Sequence, residues 1–113
     1  MKISYKNQSY ERKNREICVV TEYPRIDNDL DFAIVNISGR YPDNKHAMNS
    51  ECNEIVYVQN GAGKVVINNI EYLLNMGDVV LVEAGEKFYW EGTMTLCISC
   101  TQAFDIKQHQ IVD

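Results

Sequence analysis

Short apolar runs recur along the chain, and polar clusters rich in Gly, Asn and Asp separate them. EICVVTEY and DFAIVNISG lie upstream; EIVYV, KVVI, EYLL, VVLV, KFYW and TLCISC follow. Each is rich in Val, Ile, Tyr or Leu and too short for a stable isolated helix, so each predicts a strand. The punctuation between them predicts turns at Asn60-Gly61-Ala62-Gly63, Asn68-Asn69, Asn75-Met76-Gly77-Asp78, Ala84-Gly85-Glu86 and Glu91-Gly92. Asn tolerates the positive φ that a two-residue hairpin requires. No stretch sustains a helical period. The tail QAFDIKQHQIVD fits either a short helix or an arm.

Many short strands at regular spacing predict an all-β sandwich or barrel. With 113 residues, about ten strands fit, in one domain over 1–113 with a barrel core at about 30–100. The N-terminal part is then a strand or arm. A small jelly roll, whose facing sheets can enclose a small ligand, suits this count. No repeat, low-complexity tract or linker interrupts it.

Composition narrows the function classes. A net charge of −5 without a basic stripe argues against a nucleic-acid partner. No apolar run approaches the length of a membrane span, which argues against a membrane partner. The N-terminus, MKISYKNQSYERKNRE, is polar throughout, so the expected location is the cytoplasm. Cys18, Cys52, Cys97 and Cys100 are then expected as free thiols. Cys97 and Cys100 have C-x-x-C spacing, but on a strand side chains three apart face opposite ways. A second such pair, which a zinc site of that type needs, is missing from the chain.

The segment EIVYVQNGAGKVVINNIEYLLNMGDVVLVEAGEKFYW, Glu54 to Trp90, resembles the cupin family. Cupins carry G-x5-H-x-H-x3,4-E-x6-G and G-x5-P-x-G-x2-H-x3-N. Glu54 and Gly61 match E-x6-G. Gly77 and Gly85 match the two glycines of the second motif, with Glu83 at the proline position. The resemblance implies a double-stranded β-helix, that is, a cupin-type jelly-roll barrel, and a homodimer. It also implies a divalent metal held by the motif histidines and glutamate, and here the chain departs from it. Two residue registers place the histidine pair on Ala47 and Asn49 or on His46 and Met48, and the second-motif histidine position holds Phe88. One carboxylate and one imidazole hold a borderline ion weakly. The expectation is therefore no cofactor, with Glu54 and His46 as the remaining metal candidates.

Glu54 and Asn49 are candidate polar points of a ligand pocket, and Val56, Val58, Phe88 and Trp90 its wall. The same four apolar residues would equally make a packed core. Glu54 either orients a ligand, acts as a general base, or hydrogen-bonds structurally. His46 follows a polar loop, and His109 is expected in solvent. Three functions stay open. One is metal-independent binding of a small molecule, such as a sugar or aromatic compound. Another is a cupin enzyme: a metal-dependent oxygenase or isomerase with a divergent site, or a metal-free isomerase or lyase using Glu54. The third is a dimeric module with a filled barrel.

Overall fold

Alternation of inward and outward side chains builds the longest strands, and these organise the rest. In a computed structural model describing residues 1–113, the strands are β1 (Tyr10–Arg15), β2 (Cys18–Glu22), β3 (Ala33–Tyr41), β4 (His46–Asn49), β5 (Asn53–Ile67), β6 (Ile70–Asn75), β7 (Val79–Val82), β8 (Lys87–Thr101) and β9 (His109–Val112). All pairings are antiparallel. The sheet runs β1-β2-β3-β8-β4-β9, and β5 joins β8, β6 and β7. The β8 strand is the spine, since β3 and β4 lie along one edge and β5 along the other. The sheet curls into the double-stranded β-helix of the cupin fold.

Burial follows the period of two. Glu54, Val56 and Val58 point inward from β5, while Ile55 and Tyr57 point out. Phe88 and Trp90 are buried on β8, and Tyr89 faces the other side, under the guanidinium of Arg40 at 3.6 Å. Eighteen residues form the core, centred on Val56, Val58, Phe88 and Leu96. No helix is long and apolar enough to cross a membrane.

One expectation changes. Two of the predicted turns lie inside strands, so nine strands form instead of about ten: Asn60 to Gly63 belongs to β5, and Glu91-Gly92 to β8. Gly63 and Gly92 are register partners. A Cβ on Gly92 would lie 2.6 Å from the Gly63 Cα and 2.7 Å from the Ala62 carbonyl. These glycines mark a close approach of two backbones, which glycine in a strand also signals. The tail combines both predicted options, as a 3-10 turn at Ile106–Gln108 followed by β9 on the edge of β4. Within the polar N-terminus, β1 pairs with β2. Asn68 and Asn69, at φ 48° and 68°, do make the two-residue hairpin between β5 and β6.

Candidate functional site

A cleft is walled by residues of β1, β2, β3, β5 and β8 and of the C-terminal segment. Its free volume is about 60 Å³, room for a few waters. Arg12 and Asn14 enter from β1, Glu22 from β2, Tyr41 from β3, Glu54 from β5, and Trp90 and Cys100 from β8. Phe104 and His109, from the C-terminal segment, complete the wall. Asp31 fixes that segment by accepting the backbone N–H of Cys100 at 3.1 Å and of Phe104 at 2.8 Å. Arg12 reaches Glu22 at 2.9 Å and lies 5.7 Å from the Phe104 ring centre. It also donates to the Asn14 side chain.

A chain of hydrogen bonds leads through the protein to Glu54, and its direction follows from one amide. The Gln108 Oε1 accepts the backbone N–H groups of Glu51 and Cys52 at 3.1 and 3.2 Å. Its Nε2 must therefore donate, and it does so to Asn49 Oδ1 at 3.1 Å. That orients the Asn49 amide, so Nδ2 donates to Glu54 Oε1 at 2.7 Å. The His109 Nδ1, 2.8 Å from Asn49 Oδ1, then carries a proton and donates it. Its Nε2 accepts from the Tyr41 hydroxyl at 3.0 Å. Every link from Tyr41 to Glu54 donates toward the carboxyl, and with Oε1 so occupied a carboxyl proton belongs on Oε2.

Burial sets the protonation of this chain. Glu54 is 7% exposed, and desolvation raises its pKa to about 7, against the Asn49 hydrogen bond, which lowers it. His109 is held down to about 4, first by burial and then by the charge of Arg12, and is neutral at pH 7. The Tyr41 hydroxyl is pushed up to about 12, chiefly by burial, and keeps its proton.

Among the predicted site residues, Glu54 and Trp90 line the cleft, and Asn49, 1% exposed, stands behind Glu54 as its hydrogen-bond donor. Val56, Val58 and Phe88 lie outside the cleft. They are 0–2% exposed in the packed core, with Phe88 edge-on to Trp90 at 6.0 Å. Close packing fills that part of the barrel. His46 is on the opposite face of β4 from Ala47 and Asn49, against Tyr89 at 5.7 Å, so it does not join Glu54. His109, expected in solvent, is half-buried in the site because β9 pairs with β4. Arg12, Asn14, Glu22 and Tyr41 carried no sequence signal beyond polarity or strand propensity. The histidine-built metal centre of cupins does not fit here: Ala47 and Phe88 offer no donor atom, and the Asn49 amide turns its N–H to Glu54.

No family model and no curated protein matches the chain. Solved structures do. PAC13 of Streptomyces, described as a nucleoside dehydratase, superposes with TM-score 0.87 at 17% identity, covering 99% of this chain and 91% of that one. Its variants with a histidine replaced by glutamine, or a tyrosine by phenylalanine, are solved with uridine. KdgF from Halomonas superposes at 0.75 and 13% identity, over 95% and 98% of the two chains. The hydroxypropylphosphonic acid epoxidase of S. wedmorenis superposes at 0.74 and 19% identity, over 89% of this chain and 59% of that one. These likenesses establish the cupin-type fold.

Proposed function

We propose that this chain is a metal-independent cupin-fold lyase or isomerase that transfers a proton to or from a small polar organic molecule, with Glu54 as the proton-transfer group. The observation that carries this reading is the directed chain from Tyr41 through His109 and Asn49 to a buried carboxyl at the cleft. A carboxyl near pH 7 can take and return a proton at neutral pH. Asn49, His109 and Tyr41 act as positioning residues that hold Oε1 and leave Oε2 to exchange the proton. The reacting end of the ligand occupies the cleft, and the rest lies at the mouth against Arg12 and Phe104. The likeness to a nucleoside dehydratase supports a sugar-bearing ligand such as a nucleoside with a carbonyl group. Removing a proton beside that carbonyl is the step Glu54 would serve.

A second reading is binding without turnover, because a mostly apolar wall with a few placed polar groups is the composition of a small-molecule site. Trp90 is the single tryptophan and lines the cleft, so its emission reports occupancy. Incubation with nucleoside aldehydes and sugar acids in D2O separates the readings. Proton transfer predicts deuterium entering the ligand carbon, slowed about 100-fold or more in Glu54→Gln. A saturable change in Trp90 emission without exchange establishes binding alone, and neither signal across the panel overturns both readings.

The family resemblance also motivates a homodimer. Ile55, Tyr57, Val79 and Leu81 are exposed and form two adjacent register pairs on the outer face. Such an apolar patch suits a second copy of the chain.

A further inference from the structure

Two buried thiols flank the same carboxyl, and the C-x-x-C spacing hides them. Cys97 and Cys100 face opposite ways, with the Cys97 sulfur turned to Gln59 at 3.5 Å. The neighbour of Cys100 is instead Cys52. Sulfur atoms of Cys52 and Cys100 and a carboxylate oxygen of Glu54 all lie within 4.8 Å of one another. Register causes this convergence: Cys100 stands opposite Glu54 across β5 and β8, and Cys52 precedes Glu54 by two residues.

We propose that Cys52, Cys100 and Glu54 form a binding site for a thiophilic divalent cation such as zinc. Zinc takes thiolate sulfur at about 2.3 Å and carboxylate oxygen at about 2.0–2.2 Å. A tetrahedral centre places two such sulfurs about 3.8 Å apart, and the three atoms, all within 4.8 Å of one another, need to close by at most about 1 Å. Cys100 and Glu54 line the cleft, which gives an ion its entry path and a water for the fourth position. The site keeps Glu54, the carboxylate of the family's centre, and puts two thiols, one just before β5 and one on β8, where that centre has histidines.

Other chemistries fit less well. A disulfide forms through a thiolate in electropositive, accessible surroundings. Cys52 and Cys100 are 1% and 3% exposed beside a carboxyl, and the Cys100 thiol is pushed up by its hydrogen bond with Cys52 and by burial. Ionising all three groups without a counter-ion would bury uncompensated negative charge. A divalent cation removes that cost, so binding should release protons. Resting on the acid–base reading of Glu54, one consequence follows: a bound ion displaces the proton from that carboxyl and inhibits proton transfer.

Titration of the reduced full chain with Co²⁺, followed by Zn²⁺, tests the site. A near-ultraviolet thiolate-to-cobalt band at one ion per chain is expected, and Zn²⁺ should abolish it. Cys97→Ser should keep the band, Cys100→Ser should lose it, and Glu54→Gln should weaken binding about tenfold or more. X-ray absorption of the zinc-loaded wild type needs no variant to fold and should show two sulfur neighbours. Failure to retain zinc, a shell of nitrogen and oxygen only, or an unchanged cobalt band in Cys100→Ser overturns the proposal. None of these readouts involves turnover, so a failed deuterium exchange at Glu54 leaves the site standing, and a failed titration leaves the acid–base reading standing.

Discussion

Asn49 separates two groups whose burial acts on stability in opposite directions. Glu54 has a raised folded pKa of about 7. Below pH 4.5 it is protonated in both states; as pH rises toward 7 the unfolded chain loses its proton and the folded chain keeps it. Stability therefore falls with rising pH across that window, by roughly 3 kcal/mol in all. His109 has a lowered pKa of about 4. Above pH 6.5 it is neutral in both states; as pH falls toward 4 the unfolded chain takes up a proton that the folded chain refuses, and stability falls. The two slopes oppose each other between about pH 4.5 and 6.5. Urea denaturation should thus show a shallow profile for the wild type in that window. Glu54→Gln should destabilise steeply toward acid, and His109→Asn should destabilise steeply toward neutral pH. Parallel profiles for the two variants would contradict the assigned burial. The inward direction of Glu54 was legible, because a strand alternates with a period of two. Its amide partner's orientation was not, because that follows from Gln108, 59 residues away.

Along the strands, glycines divide by what surrounds them. Gly77 has φ +96° with open space around it, so Gly77→Ala should cost about 1 kcal/mol for the left-handed backbone alone. Gly92 has φ +138°, and an added Cβ meets the backbone of Gly63 and Ala62. Two paired strands must separate to admit it. Gly92→Ala should cost at least about 2 kcal/mol, or prevent folding. Chemical denaturation of the two variants under one set of conditions checks the ranking. Both glycines look alike in a sequence. Only the second lies where β5 and β8 touch, which is why Asn60 to Gly63 and Glu91-Gly92 resembled turns. The Asn68-Asn69 hairpin was readable because its geometry is local to the residues that form it.

For the molecule as a whole, the outward apolar pairs Ile55–Leu81 and Tyr57–Val79 predict association. Sedimentation velocity should give a dimer for the wild type and a monomer for Leu81→Glu, with the strand content of both equal by circular dichroism. A monomeric wild type at high micromolar concentration would remove the homodimer from the proposal. The N-terminal and C-terminal segments of the chain meet at the cleft. Arg12 from β1 lies beside Phe104, and Tyr41 reaches His109. A polar N-terminus and an ambiguous tail thus supply much of the cleft.

Local pattern was enough to specify an all-β chain, the shared faces of Glu54, Val56 and Val58 and of Phe88 and Trp90, and the replacement of the motif histidines by residues such as Phe88. These follow from side-chain alternation and residue identity, which are properties of neighbouring positions. Convergence is a different matter. His109 joins Tyr41 from 68 residues away, and Cys100 rather than Cys97 meets Cys52, because pairing registers between remote strands choose which inward side chains become neighbours. Close packing then determined which of them fill the core and which line the cleft.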